Sequence, residues 1–417
     1  MHRTTKLVAA LGALAIVVGA CGGGATTAPS VAPSTAPSTA PSVAPSATPA
    51  ATLKGDLTVW NAYGSGGTAE GKAFEQILAE AKKVYPDVNV TVLDVPFDQL
   101  YTKFETAAAS GGGPDMYIAP NDNLGNEVRA GLLVDVSTPF EASENFKNTL
   151  DVAIGGSKVD GKWYMVPESL KAVAMFYRKS KVATPPATTA DLLNAVKGGL
   201  QFGINQNPYH NWGFWYAFGG KIMDDTGKCV ADQGGVADAM KFLADLKAAG
   251  AKFYTDGAKF QDDFKTGKLD AIIEGPWFSG DAKAAAGDDL AVAPMPAGPA
   301  GPSQPMTGVD GWYINLASPN VDLATAFAIY LTNAANQQIY VDVAGHVPAD
   351  KTITISDPIV KGFSDAVATG FPRPQSTDLN NYWGNFGNAL NEVLDKGTDP
   401  TAAVATACAE MNKANNK

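Results

Sequence analysis

Positive charge is in short supply. The 417-residue chain carries 31 Lys and Arg against 42 Asp and Glu, for a formal net charge of −11. Phosphate backbones are bound by Lys and Arg in excess on one face, so this balance argues against a nucleic-acid partner. Histidine is nearly absent as well. Of three, only His210 and His346 lie beyond the first residues, and they are far apart. That leaves no metal-ligand spacing, and neither a metal nor a cofactor is expected. There is no G-x-S-x-G nucleophile elbow, no H-E-x-x-H pair and no phosphate loop. No apolar run is long enough to span a bilayer comfortably. What remains, 45% hydrophobic and 18% charged residues, is the composition of an ordinary globular protein, and the length suggests two to three domains.

The N-terminus has the form of a signal peptide over residues 1–20. Arg3 and Lys6 precede the apolar stretch LVAALGALAIVVGA, residues 7–20. Val18-Gly-Ala-Cys21 looks like a lipobox, where cleavage leaves a lipid-modified Cys21 as the new N-terminus; the alternative is a plain cut near Ala20. Residues 21–52 follow as a Pro/Ser/Thr/Ala tether that has almost nothing to bury and is expected to stay extended. Together they imply a body held on the extracytoplasmic face of a cell membrane by a lipid anchor. Without residues 1–20 the balance is 29 basic against 42 acidic, a net −13. Export makes a disulfide permissible. Cys229 and Cys408 either form that bridge or stay as two free buried thiols.

The body begins near Asp56. Residues 57–60 (LTVW) and 115–118 (DMYI) read as strands, as does the alternating stretch 88–93. Apolar residues spaced three and four apart predict helices between them, with Phe74, Ile77, Leu78 and Ala81 on one stripe and Leu100, Tyr101 and Phe104 on another. Strand–helix–strand–helix–strand means a parallel sheet with helices on its faces, and ligands bind such sheets beyond the carboxyl ends of the strands. The loops 61–67 and 119–123 therefore share one mouth. Later come helices at 236–246, 260–265, 323–340, 382–394 and 401–411, and a strand at 269–273. Past that strand lies EGPWFSGD, residues 274–281, which sets Trp277 in a turn where an indole has little to hide behind.

Several short motifs run through this body in a fixed order: Ser65-Gly-Gly-Thr68, Gly113-Pro-Asp115, Gly131-Leu-Leu133, Gly161-Lys-Trp-Tyr-Met-Val-Pro167, Phe176-Tyr177, Glu274-Gly-Pro-Trp277, Ala317-Ser-Pro319 and Tyr382-Trp383. Their order resembles that of the family 1 extracellular solute-binding proteins of ABC importers, in particular the maltose- and maltodextrin-binding proteins, from about Leu57 to the C-terminal helix. The resemblance implies an α/β, two-lobed periplasmic-binding-protein fold of class II type, with a ligand cleft between lobes joined by a multi-crossing hinge. It places the first lobe at 53–166 plus about 305–345 and the second at 167–304 plus about 346–417. Crossings are expected near 167–171, 300–307 and 344–350.

The same resemblance supplies candidate ligand-binding residues. A pyranose has an apolar CH face and a rim of hydroxyls, so its binder needs flat aromatics and short polar side chains. Trp277, Trp383 and Tyr209 match stacking positions; the bland alternative for each is packing in a core or between lobes. Asp122 matches a carboxylate that accepts from sugar hydroxyls, or else it is a turn residue. Tyr63 and Ser65 could reach the cleft from the first loop, unless Gly64, Gly66 and Gly67 there merely set turn geometry, and Glu168 could line the hinge. Lys171 and Asn207 stand where the family has Glu, Ala119 where it has a stacking Trp, and Asn123 where an Arg often follows the Asp. Lys171, if it faces the cleft, would suit an anionic or differently substituted ligand; the alternative is a side chain whose charged end is simply solvated. His210 is expected to pack near the cleft and His346 to cap a turn. The function implied is capture of a sugar, an oligosaccharide such as a maltodextrin, by lobe closure and delivery to permease subunits, without catalysis and as a monomer. The alternatives are a binder of another small solute (polyamine, peptide or anionic sugar derivative) or a secreted glycoside-acting enzyme using Asp122 with Glu168 or Glu274.

Overall fold

A computed structural model describes residues 52–64 and 67–417. The leader, the tether, Cys21 and Ser65 lie outside the described residues. The strands of the described body are β1 (Gly55–Asn61), β2 (Val88–Asp94), β3 (Met116–Pro120), β4 (Lys158–Val159), β5 (Lys162–Trp163), β6 (Val166–Lys171), β7 (Ala174–Arg178), β8 (Phe202–Asn205), β9 (Lys252–Tyr254), β10 (Ala271–Glu274), β11 (Leu290–Ala293), β12 (Met306–Ile314), β13 (Val347–Pro348) and β14 (Phe371–Pro372). They form two main sheets. The first runs β13-β6-β12-β3-β1-β2 with β14 beside β12, and the second runs β11-β7-β10-β8-β9.

Each sheet mixes parallel and antiparallel pairs. β1 is parallel to both β2 and β3, and β12 runs antiparallel to β3 and β6. In the second sheet β8 is parallel to β9 and β10, while β7 is antiparallel to β10 and β11. Strands covered by helices on both faces read as continuous apolar runs. β3 and β12 are buried at every position. β2, at the edge of its sheet, is exposed from Thr91 onward.

Helix ends follow the local chemistry. Thr68 caps the helix Ala69–Val84, its hydroxyl accepting from Gly71 N–H at 2.9 Å. The apolar stretch expected as one helix over 323–340 is broken instead. Val321–Leu331 ends, and Asn333 adopts extended backbone and accepts from Asn336 N–H at 2.9 Å, starting a new helix at Ala334. An N-cap side chain inside an apolar stripe is invisible to periodicity.

Three hydrophobic clusters hold the body. One lies under the first sheet around Phe74, Phe140, Trp163 and Trp312, and another under the second around Phe214, Trp215, Leu243 and Phe386. The third passes through both sheets at Leu170, Ala172, Phe176 and Val309. Only Ala172 and Val173, both buried, separate β6 from β7, so the chain passes from one sheet to the other in two residues. It returns over 294–305. β6, β13 and β14 pair in the first sheet, although 167–171, 347–348 and 371–372 fall in the stretches expected for the second lobe. A disulfide joins Cys229 to Cys408, with Cα atoms 5.4 Å apart, and fastens the last helix, Pro400–Ala414, beside the loop that precedes the helix Val236–Ala248.

Candidate ligand-binding site

The parallel strands β1, β2 and β3 end at one mouth, and the parallel strands β8 and β10 end at another. A cavity of about 1010 Å³ lies between them. The loop after β1 contributes Tyr63, the first turn of the helix Ala69–Val84 adds Glu70, β3 leads to Asp122, and β6 and β12 supply Lys171 and Asp310 as a floor. From the second sheet come Tyr209, Trp277 and Asp281, and the C-terminal region adds Arg373 and Trp383.

Trp277 is 46% exposed and lines the cavity. Its turn is built for this. Pro276 opens a short 3-10 turn after β10, and Gly275 has no side chain because the indole folds back over it; a Cβ there would stand 2.1 Å from the ring. Tyr209 flanks the indole at 6.1 Å between ring centroids, and the His210 ring stands edge-on at 6.3 Å. The helix Pro208–Ala217 carries both, and Asn207 caps it, accepting from His210 N–H at 2.9 Å. Asn207 is therefore not a cavity residue. Its side chain faces the helix end and His210 Nδ1, also at 2.9 Å, because an N-cap must satisfy free N–H groups.

Glu168, too, lies beneath the cavity rather than in it. It is fully buried and accepts from Tyr63 Oη at 3.2 Å, Ser169 Oγ at 2.8 Å and His346 Nδ1 at 3.2 Å. His346 caps no turn. Its Nε2 reaches Glu70 Oε1 at 3.0 Å, and its ring stacks on Tyr340 with centroids 5.0 Å apart. Burial alone would lower the His346 pKa, but Glu168 and Glu70 together hold it well above the usual imidazole range. Burial would likewise raise the Glu70 carboxyl, yet bonding to His346 holds it below its ordinary value. The ring is thus an imidazolium between two carboxylates, and the cluster fixes Tyr63, whose hydroxyl burial pushes far up.

Lys171 does line the cavity, but its Nζ lies 2.7 Å from Asp310 Oδ1. Burial pushes the Asp310 carboxyl up, and Lys171 pulls it back. A neutralised ammonium is a hydrogen-bond donor, not a free cation waiting for an anion. Asp122 also carries a counter-ion. Arg373 Nη1 donates to its Oδ1 at 2.7 Å, and the same guanidinium stands over the Trp383 ring, 5.0 Å from the centroid. Asp310, Arg373, Glu70 and His346 were not among the sequence candidates for ligand contact. Arg373 left a trace, as one of only four arginines in the chain and set between two prolines. Asp310 sits in a fully buried strand of otherwise apolar and small residues, which could have flagged it.

Of the carboxylates considered for bond cleavage, Asp122 alone lines the cavity. Glu274 is buried, accepting from Gly275 N–H at 2.8 Å and lying 3.1 Å from His210 Nε2.

Two sheets whose parallel strands aim their carboxyl ends at a shared aromatic and polar cavity define a two-lobed binding protein. The chain matches the bacterial extracellular solute-binding protein family over residues 76–362 and belongs to it. Among curated relatives it is 28% identical to the maltotriose-binding protein of Pyrococcus abyssi over 352 residues, 78% of this chain and 75% of the relative. It is 25% identical to a maltooligosaccharide ABC transporter solute-binding lipoprotein of Streptococcus pneumoniae over 370 residues, 80% of this chain and 84% of the relative. The maltotriose-binding protein of Thermus thermophilus, solved with maltotriose, superposes with a TM-score of 0.75 at 27% identity, covering 86% of this chain and 100% of that one.

Proposed function

We propose that this chain is the substrate-binding component of an ABC importer and that it captures an oligosaccharide of linked glucose units, maltotriose being the first to try. The observation that carries this is the half-exposed Trp277 indole, braced by Tyr209 and turned into the cavity beside paired polar groups. Indole and phenol faces suit CH faces of pyranose rings, and Asp122, Asp310 and Lys171 supply acceptors and a donor for hydroxyls. Asn207 and Glu168 serve by fixing Tyr209 and Tyr63. The named relatives support the same class of ligand. The Asp310 counter-ion on Lys171 removes the main reason to expect an anionic sugar.

A ligand that touches both lobes favours their closed arrangement, and closure buries it. The closed form then docks on permease subunits and gives up its cargo unchanged. Lipid at Cys21 and the 21–52 tether keep the body near that permease and raise its local concentration. The protein works as a monomer.

Thermal shift and calorimetry against maltose, maltotriose, trehalose, sucrose and a polyamine test the reading. A ligand at about a hundred times its Kd adds roughly 2.7 kcal/mol of stability. Stabilisation by the polyamine alone, or release of glucose from a bound oligosaccharide, would overturn it.

A further inference from the structure

Residues 370–376 form a strap along the cleft, between the helices Pro358–Val367 and Asn380–Lys396. β14 fastens the strap to β12, and Arg373 N–H donates to Thr307 O at 3.1 Å. On the other side Gln375 Oε1 accepts from Gly125 N–H at 3.2 Å. The fit there is tight, since a Cβ on Gly125 would stand 2.1 Å from Gln375 O. Pro372 and Pro374 restrict the backbone on either side of Arg373. Its side chain therefore leaves from a fixed point, and only 13% of it is exposed.

That side chain joins two of the expected ligand contacts to each other. It donates to Asp122 and lies over the ring of Trp383. Trp383 in turn packs against the core of the second sheet, so a pyranose that stacked on the guanidinium-covered face would have to expel the charge. Expulsion would strip a partly buried carboxylate of its only ion-pair partner among the described residues. Loss of a partner by a buried ionic group costs more than one ring contact returns.

We infer that Arg373 is a specificity-determining residue of the proposed oligosaccharide site. It occupies the Trp383 face and one oxygen of Asp122, so this part of the cavity reads sugar hydroxyls through guanidinium N–H groups instead of stacking a ring on the indole. Trp383 acts by seating the guanidinium over its ring. A guanidinium has five donors in a rigid fork, and those not given to Asp122 meet no other acceptor among the described residues, which leaves them for hydroxyl oxygens. The inference rests on the oligosaccharide reading and names which side chain sets its preference.

The experiment is calorimetry of wild type, R373A, R373Q, R373K, W383A and the double variant R373A/W383A with maltose, maltotriose and trehalose, each variant first checked for cooperative melting. R373A and R373Q should weaken maltotriose binding about tenfold or more, as expected for a lost charge-assisted hydrogen bond. R373K should not restore it, and the ranking of the three sugars should change. Adding W383A to R373A should weaken binding little further, because both act through one contact. R373Q covers the case in which R373A does not fold. Wild-type affinity and an unchanged sugar ranking in R373Q would overturn the inference alone, as would fully additive losses in the double variant. If wild type binds none of the sugars, the oligosaccharide reading falls and the inference with it.

Discussion

Replacing Trp277 by Ala isolates the proposed stacking contact. An indole can bury up to about 250 Å². With 46% of Trp277 exposed, roughly 115 Å² stays open, and one ring lying on one face covers about half of that. At ~25 cal/mol/Å² the indole's side of the contact comes to about 1.4 kcal/mol, a tenfold change in Kd. Stability should shift by less than about 1 kcal/mol, because the side chain stands at a rim and fills no cavity in the core. Isothermal calorimetry with maltotriose, run beside thermal melts of both proteins, reads the two effects separately. W277F should recover part of the loss, since it keeps a smaller flat face. If W277A binds maltotriose as wild type does, the stacking argument is refuted. A tenfold loss with a collapsed melting temperature would mean that the indole is structural instead.

Three other outcomes follow from the buried chemistry. Glu127 is fully buried against Tyr117, and burial lifts its pKa from an ordinary carboxyl value to about 8. A carboxyl raised on folding keeps its proton while the unfolded chain has lost its own, so stability falls as pH rises from about 4.5 to 8. E127Q should therefore flatten the melting-temperature profile over that window, and an unchanged slope would contradict the assignment. His346 is raised for the opposite reason, as a cation held by two carboxylates. Its contribution is complete below the unfolded-state value near 6.5 and is lost as pH climbs through the folded value. H346Q should thus be most destabilising relative to wild type at acid pH, with the gap narrowing as alkali is added in thermal melts. Cutting the Cys229–Cys408 bridge, which spans 179 residues, by C229S/C408S should cost about 2–4 kcal/mol in urea unfolding, with a chain-entropy ceiling near 5. A loss under about 1 kcal/mol would mean that the C-terminal helix is held by its packing.

The first three strands, the helices between them and the mouth they share were legible because strands and amphipathic helices leave periodic marks; the order of the two mixed sheets was not, because β6, β12 and β13 join the first sheet antiparallel from distant stretches of chain. The motifs Glu274–Trp277 and Tyr382-Trp383 marked the aromatic wall. The polar floor was not legible, because its residues meet only in space. Glu70, Glu168 and His346 come from three distant stretches of chain, and nothing in their neighbours announces that one imidazole will sit between two carboxylates. Asn207 misled for a related reason. A position that can face a ligand can also cap a helix, and the Pro208 that follows favours the cap. Lys171 was read correctly as a cleft residue but without Asp310, 139 positions away in sequence, so its charge looked free.

The two-residue passage from β6 to β7 bears on assembly. Every strand of the second sheet, residues 174 to 293, lies inside the span of the first, which starts at Gly55 and is completed only by Pro348 and Pro372. During synthesis the sheet begun later is the one finished earlier, and β3 must wait for β12, its antiparallel partner, made nearly two hundred residues afterwards. Such long-range closure slows folding. It also means that no single cut yields one lobe intact, so this binder stands or falls as a whole chain.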